Sequence, residues 1–597
     1  MTTTVAADEL ALQRLDAATR DAKRLQLETL RAILAENAGA AYLRRHIPDA
    51  DAAHLLRSPD LADEFRRLVP ISSYSDYADS IRRVADGDAN PDELSPLPLL
   101  CFFLSSGTSS PRPKLIPYFD SPGAKSASAA VMQANSALVR RMFPPRDPEA
   151  KTLWFLYAGE VTTTKGGYEA MAATAWGIRR GGAKSPVMSA CVSPADVILG
   201  TDHQQQTYCH LLCGLRRRDA VDCIRAPYAA TVARALRLLR STWRLLADDL
   251  ESGTVNAGHV TDAAMRRAVQ DGVLAGPSPE LAAAVRRACD GDDWHGVVRR
   301  LWPAARYVSC VTTGSMAQYV PAIEHLAGEA VPVIGGDYLA SECPIGINID
   351  RASPPEETTY VVLPTAAYFE FIPLSDDDVT DDAAAAPAPA VDIAGVEVGK
   401  AYEVVATTFR GLYRYRLGDI VKIAGFHHCS PRLQFVARAP PPAEKENPEL
   451  LTESDVMAAM AAFQLMLKEN EVIDFAAFVI DGDGHQRRRQ AKIAVEVGEG
   501  SSMVLDAAFL RRCRAAMEGC LGGAYGRSRD AGDVAPMEIA VVRAGTFDRL
   551  AEEAIRGGAP ASQYKPPKIV RHRHLVDLLE SSVVCSSSCS TEAAVDH

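Results

Sequence analysis

The sequence predicts an α/β protein of two domains, a large one over residues 1–438 and a smaller α+β one over 449–597, joined by a linker over 439–448. Three observations carry this. Short apolar runs of strand length alternate along the chain with stretches whose apolar residues recur every three or four positions, the helical period. The Pro-rich charged segment Ala439-Pro-Pro-Pro-Ala-Glu-Lys-Glu-Asn-Pro448 is the strongest linker signal. Beyond it the order helix, two strands, helix, strand makes a unit of about 150 residues, an ordinary domain size. A chain of 597 residues with 47% hydrophobic and 23% charged residues has the length for a large core and the balance of a globular protein.

Taken in order, residues 8–38 read as an amphipathic helix, and 60–81 as a helical and loop region. The apolar run from Leu99 stops at Ser105 and gives way to Ser-Gly-Thr-Ser-Ser-Pro-Arg-Pro, with Lys114 before the next apolar step. Strand, hydroxyl- and glycine-rich loop, and lysine suit phosphate, because backbone N–H groups, hydroxyls and an ammonium converge on oxyanions. The spacing is not that of a Walker A loop, and taken alone such a loop is more often a plain turn. Thr152–Tyr157 is a strand, followed by a polar turn at 162–167. Helices are expected over 203–216, 228–251 and 261–290, with Trp243 as a core anchor. Ala304–Gly314 returns as a strand, and 331–350 alternates strand and loop. The Asp/Ala-rich insertion at 375–390 reads as a solvated, disordered surface loop. Strands over 400–409 and 412–422 flank a turn at Gly411. After the linker come helix 453–468, strands near 471–480 and 491–497, helix 505–520 and strand 537–543.

A net charge of −12, without a long Lys/Arg tract, excludes a general nucleic-acid binder. Arg216–Arg218 and Arg487–Arg489 read as solvated patches. Thirteen cysteines, scattered without Cys-x-x-Cys pairs, point to reduced thiols in the cytoplasm rather than to disulfides or zinc. The first residues lack a basic-then-apolar leader, and no run approaches ~18 apolar residues, so neither export nor membrane spanning is expected.

Three separated segments, Ser105-Ser-Gly-Thr-Ser-Ser-Pro-Arg-Pro-Lys114, Tyr338-Leu-Ala-Ser-Glu342 and Tyr413-Arg-Tyr-Arg-Leu-Gly-Asp419, resemble the three nucleotide motifs of the plant acyl-acid amido synthetases. These form the auxin-responsive branch of the adenylate-forming enzymes. Thr313-Gly-Ser-Met-Ala-Gln-Tyr-Val-Pro321, Tyr368–Pro373, Gly545-Thr-Phe547 and Gln563-Tyr-Lys-Pro566 add matches in family order, so the resemblance spans essentially the whole chain. It implies a firefly-luciferase-like large domain, a mobile C-terminal domain, and a ligase that uses ATP and Mg²⁺ to join indole-3-acetic acid, jasmonate or a benzoate to an amino acid. Ser105, Ser106, Gly107, Thr108 and Lys114 would hold phosphates, Tyr338 and Ser341 would lie at the nucleotide, and Asp419 would bind the ribose hydroxyls. Glu342 would ligate Mg²⁺, a metal of hard oxygen ligands. Lys565 would neutralise charge developing at the α-phosphate. Ser126, Arg225, Ser315 and Pro344 would line the acyl pocket, and Thr164, Gly166 and Gly167 would meet the acceptor amino acid. No nucleic acid or membrane partner is implied, and the enzyme would be a cytoplasmic monomer.

Each residue also has a plain reading. Asp419 and Glu342 are turn acids, Lys565 a surface lysine, and Arg414 with Arg416 one exposed face of a strand. The sequence departs from the family pattern at Pro111, where glycine is usual and a donor N–H is lost. It departs again at Pro344, where an aromatic is usual, and in the Pro-rich hinge. Arg225, in Asp222-Cys-Ile-Arg-Ala-Pro227, either meets a substrate carboxylate or lies at the surface. Two rival readings remain: a non-catalytic hormone or nucleotide binder, and a coenzyme A ligase sharing the same first half-reaction.

Overall fold

The computed structural model describes residues 2–105, 113–182, 185–374, 388–439, 450–467, 472–481, 488–498 and 505–588. Four strands, Lys151–Trp154, Val221–Tyr228, Val308–Val311 and Val333–Gly335, lie side by side in chain order, all parallel. Parallel pairing requires long crossovers, and helices His203–Arg216, Ala229–Ser252 and Val320–Ala327 lie within them. In Ala229–Ser252 the residues Val232, Leu236, Leu239, Trp243, Leu246 and Leu250 recur at helical spacing and are all buried, so Trp243 anchors the core as expected. The helix ends on Gly253 at φ +70°, where an added Cβ would fall 2.3 Å from the carbonyl carbon of Gly276.

A second sheet orders its strands Leu115–Phe119, Leu99–Leu104, Glu169–Met171 and Thr162–Thr163. A third has eight strands, centred on the hairpin Tyr415–His427 and Ser430–Arg438. The turn of that hairpin packs on the N-terminal helix, where the Cys429 N–H donates to the Thr19 carbonyl at 3.0 Å. The fourth sheet, Val472–Ile480, Arg489–Val497, Val534–Val542 and Val583–Ser586, lies wholly beyond residue 449 and has its own buried core.

Several expected elements are divided. The helix of 8–38 breaks at Asp21 into Thr2–Arg20 and Ala22–Glu36. The expected helix 261–290 becomes Ala263–Val269, a wide turn Gln270–Leu274 and Pro279–Cys289, since Gly276-Pro277 cannot continue a helix. The strand Thr152–Tyr157 is only Lys151–Trp154, and Ala304–Gly314 only Val308–Val311. Residues 375–387 of the Asp/Ala-rich insertion and 440–448 of the linker lie outside the described residues.

The reading of Arg414 and Arg416 as one exposed face needs correction. Arg416 does lie on an open face, paired with Glu403. Arg414 precedes the strand at φ +44° and is buried, with Nε and Nη2 each donating to Glu370 at 2.9 Å and Nη1 to the carbonyls of Arg66 and Val69. A buried guanidinium needs such partners. Glu370→Ala would strand it, and we expect a loss of about 3 kcal/mol or more, read as an earlier denaturation midpoint; a change within about 0.5 kcal/mol, ordinary for surface substitutions, would contradict this account.

His210 sits in the core, its Nδ1 2.7 Å from the Ser193 hydroxyl and its Nε2 3.0 Å from the Leu156 carbonyl. Burial lowers its pKa from 6.5 to about 4, and the same is true of His203. Below 6.5 the unfolded chain therefore takes up protons that the folded chain refuses, so stability falls as pH drops from 6.5 toward 4. At pH 5 each histidine should cost on the order of 2 kcal/mol relative to pH 7. His210→Gln, titrated with urea at both pH values, should lose about half of this dependence; an unchanged dependence would remove His210 from the account.

Candidate functional site

The loops that follow the parallel strands converge on one region, the usual place for a ligand in an open α/β sheet. Val333–Gly335 runs on through Gly336 and Asp337 to Tyr338. Asp337 is buried and pins this loop: its Oδ1 accepts from the Arg351 guanidinium at 2.6 Å and from the Asn348 N–H at 3.0 Å. A tight hairpin follows, with Tyr338–Leu339 paired to Pro344–Ile347 and the Ala340 N–H donating to the Cys343 carbonyl. Ser341 and Glu342 are the two central residues of that turn, which is why a short polar residue and an acid stand there.

The second sheet supplies the next piece. Strands Leu99–Leu104 and Leu115–Phe119 form a hairpin whose neck is closed by Ser105 and Lys114. The Ser105 N–H donates to the Lys114 carbonyl at 3.0 Å, and the Lys114 N–H donates to the Ser105 hydroxyl at 2.9 Å. The Ser105 side chain is thus turned to its own backbone. Ser106, Gly107, Thr108 and Pro111 lie outside the described residues. The Lys114 ammonium stands 5.4 Å from the Tyr74 ring centre and 3.5 Å from the Tyr415 hydroxyl. Burial pushes its pKa below the ordinary lysine value; Glu342 and Asp419 act in the opposite sense, and Arg438 adds to the lowering.

Asp419 lies on the long hairpin, opposite Arg438. It is 4% exposed, and its Oδ2 accepts from the Tyr338 hydroxyl at 2.5 Å. Its Oδ1 is 3.1 Å from Arg438 Nε but lacks an aligned donor, leaving a buried acceptor unsatisfied among the described residues. The Asp419 charge holds the Arg438 guanidinium well above its usual pKa, whereas burial and then Asp419 raise the Tyr338 phenol. The Tyr338 ring lies 5.3 Å from that of Tyr360 and 5.9 Å, edge-on, from that of Phe435. Glu342 is buried, yet accepts no hydrogen bond among the described residues. Lys114, Glu342, Tyr338 and Asp419 are therefore brought together, with Ser105 and Ser341 at the rim. A carboxylate without a hydrogen-bond partner, an unsatisfied carboxylate oxygen and an ammonium thus lie within one small region.

The other expected residues are more scattered. Ser315 lies in the turn Gly314–Tyr319 after strand Val308–Val311, and Pro344 opens the strand after Glu342. Ser126 is exposed on helix Pro122–Met142. Arg225 stacks its guanidinium on the Trp154 ring at 4.4 Å, and no carboxylate pairs with it among the described residues. Thr164, Gly166 and Gly167 form a turn locked onto another helix end, the Gly166 N–H donating to the Ala85 carbonyl at 2.7 Å. This turn precedes Glu169–Met171, which runs parallel to Leu99–Leu104. It lies at the end of the sheet away from Ser105, so the structure does not join it to the cluster around Asp419.

Lys565 comes from the C-terminal domain and holds its ammonium 4.8 Å from the ring centre of Tyr228, at the carboxyl end of strand Val221–Tyr228. The domains meet along a mostly polar seam, with Ala561 and Ile555 packed on the large domain's core. Asp548 pairs with Arg234 at 3.1 Å and with Arg237 at 3.6 Å, Glu552 with Gln204, and the Ala561 N–H donates to Glu160 at 2.8 Å. Arg438, Tyr415 and Tyr74 were not singled out from the sequence. Arg438 carried a signal in its place opposite Asp419 on paired strands, whereas Tyr74 reaches the site from a distant helix and left none.

Comparison with known proteins gives a consistent picture. Residues 11–333 match the model of the GH3 family N-terminal domain, 360–438 that of the GH3 family central domain, and 454–574 that of the GH3 family C-terminal domain. A probable indole-3-acetic acid-amido synthetase GH3.6 from Oryza sativa subsp. japonica is 74% identical over 405 residues, covering 67% of this chain and 82% of the relative. The jasmonoyl--L-amino acid synthetase GH3.5 of the same plant is 35% identical, covering 95% of each chain. Among solved structures, the GH3.15 acyl acid amido synthetase superposes with a TM-score of 0.82 at 29% identity, covering 96% of each chain.

Proposed function

The chain belongs to the GH3 family, and on that footing we propose that it is an ATP-dependent acyl-acid amido synthetase. In this reading it adenylates the carboxylate of a plant hormone and passes the acyl group to the amine of an amino acid, releasing AMP and pyrophosphate and so lowering the free hormone. The observation that carries it is the cluster of Lys114, Glu342, Tyr338 and Asp419, four groups from three distant segments around one space. The 74% identity to a probable indole-3-acetic acid-amido synthetase, against 35% to a jasmonoyl--L-amino acid synthetase, favours auxin as the acid.

The roles follow from the geometry. Asp419 Oδ1, buried and short of a donor, is suited to the ribose hydroxyls, while Tyr338, Tyr360 and Phe435 form an aromatic wall for the base. Lys114 and the loop of Ser106, Gly107 and Thr108 are assigned to the phosphates. Mg²⁺, held by Glu342 together with phosphate oxygens, would supply charge neutralisation there. Ser315 and Pro344 are assigned to the acid. Lys565 faces the strand ends from the C-terminal domain, where an ammonium favours a developing negative charge most if it binds that charge more tightly than the ground state. We take residues 1–438 and 449–597 as the two bodies that move, and the cytoplasm as the location, where ATP and reduced thiols coexist.

The test is incubation with ATP, Mg²⁺ and a panel of indole-3-acetic acid, jasmonate and benzoates against the standard amino acids, with products identified by mass. An acyl-amino acid conjugate is expected, with auxin giving the most; absence of any conjugate and of any acid-dependent pyrophosphate exchange into ATP would overturn the reading. Within it, Lys565→Ala should lower that exchange by about 10²–10³-fold. ATP binding by calorimetry should stay within about threefold, a change of under 1 kcal/mol. Unchanged exchange would take the role away from Lys565.

A further inference from the structure

A buried ion pair in the C-terminal domain has no place in the chemistry above. Lys568 and Asp474 lie 2.7 Å apart, with side chains 0% and 4% exposed. Lys568 also reaches the Phe475 carbonyl at 3.2 Å and the Phe475 ring at 4.3 Å. The pair is completed from the other domain. Tyr319 donates its hydroxyl to Asp474 Oδ2 at 2.8 Å, and Gln318 Nε2 donates to Oδ1 at 3.1 Å. Burial, and after it the Asp474 charge, raise the Tyr319 phenol far above its usual pKa, so it stays a donor across the physiological range. Lys568 lies three residues after Lys565 on the same segment, whose neighbour Val570 donates to the Ala477 carbonyl at 2.7 Å.

Tyr319 and Gln318 end the Gly314–Tyr319 turn, and that turn reaches toward the nucleotide cluster. Gly314 has φ +62°, and a Cβ there would lie 2.8 Å from the Phe435 ring. Phe435 packs edge-on against Tyr338, whose hydroxyl holds Asp419. Just before the turn, the Thr313 hydroxyl is 2.8 Å from that of Tyr360, which also lies against Tyr338. A continuous set of contacts thus runs from Asp419 through Tyr338 and Phe435 to the turn bearing Ser315, and on to Asp474, Lys568 and the segment of Lys565.

We infer that Asp474, Lys568, Tyr319 and Gln318 are positioning residues that dock the C-terminal domain and set Lys565 over the ends of the parallel strands, with the Gly314–Tyr319 turn coupling that docking to occupancy of the nucleotide and acid sites. This rests on the adenylation reading given above. The element with two states is the domain itself, docked or undocked. Asp474 and Lys568 stay paired when it leaves, so at this cluster undocking costs the hydrogen bonds from Tyr319 and Gln318 to Asp474 and the 3.4 Å contact of Lys568 with the Tyr319 hydroxyl, rather than leaving either charge unpaired. A ligand that orders Tyr338 and the turn presents Tyr319 to Asp474 and favours the docked state by its differential affinity.

Tyr319→Phe removes only the cross-domain hydroxyl and keeps the ring beneath Lys568. It should lower kcat for acid-dependent pyrophosphate exchange roughly tenfold, the effect of losing the hydroxyl's short hydrogen bond to Asp474 and its longer one from Lys568. KM for ATP and transfer from isolated acyl-adenylate to amino acid should stay near the parent values. Domain position is read separately by pulsed-EPR distances between spin labels on the exposed Cys429 and Cys520, one on each domain, with Cys585 and Cys589 replaced by serine. ATP with the acid should narrow the parent distribution, and Tyr319→Phe should broaden it. Identical distributions in parent and variant overturn the inference, as does an equal loss in both half-reactions with a lowered melting temperature, which marks a merely structural role. If the parent shows no exchange with any acid while Tyr319→Phe still broadens the distances, the docking role stands and the adenylation reading fails.

Discussion

A carboxylate buried to 4% exposure, Asp419, is the point on which the site depends. Taking such a charge out of water costs several kcal/mol unless partners replace the lost hydration. Here Tyr338 comes from the third sheet's edge strand, and Arg438 from the strand paired with Asp419's own. Arg438 is also the last residue of its strand, and the next N–H, that of Ala439, donates to the Gly418 carbonyl at 2.9 Å. The pairing that holds Asp419 therefore also fixes the end of strand Ser430–Arg438.

That arrangement explains why the central hairpin is long. Strand Tyr415–His427 has to carry Asp419 into the site at one end and reach the N-terminal helix at the other, where its turn rests on Thr19. Between these ends Val421, Ile423 and Leu433 are buried beneath the sheet. Arg414, just ahead of the strand, is clamped by Glu370 and two carbonyls, so the approach to Asp419 is as fixed as its exit. A residue at φ +44° with a β-carbon is tolerated there because the partners of its guanidinium over-determine the backbone.

How much of this was legible from the sequence depended on the range of the forces involved. Helix Glu453–Leu467 and strands Val472–Ile480 and Arg489–Val497 fall within about two residues of their expected positions, since hydrophobic period is a local property. The break at Asp21 went unforeseen because Ala and Leu on both sides continue the helical pattern. Glu342, Tyr338 and Asp419 were singled out through motif order, and the structure sets Tyr338 against Asp419 with Glu342 in the adjoining turn. Tyr74 and the Asp474–Lys568 pair left no local mark, because each contact joins segments whose separation no periodicity reports. Arg414 is the plainest case: two arginines two residues apart look alike in a strand pattern, yet one finds Glu370 in the interior and the other stays at the surface.

The composition of the domain seam bears on whether it can open. An apolar seam would make parting expensive and leave a sticky surface on each body. This one has a small apolar contact, Ala561 and Ile555 packed on the large domain's core, and is otherwise held by Asp548 with Arg234 and Arg237, by Glu160 accepting from Ala561, and by the two hydrogen bonds to Asp474. Interfaces of that polar kind between domains permit relative motion as the default. The deeply buried charges at the seam, Lys568 and Asp474, are both owned by the same domain and travel together. An ion pair split across the seam would have left a bare charge on each side at every opening, at a cost of several kcal/mol that no single ligand contact repays. Keeping the pair on one body and only its hydrogen-bond cap on the other makes docking specific in geometry while keeping it shallow in energy.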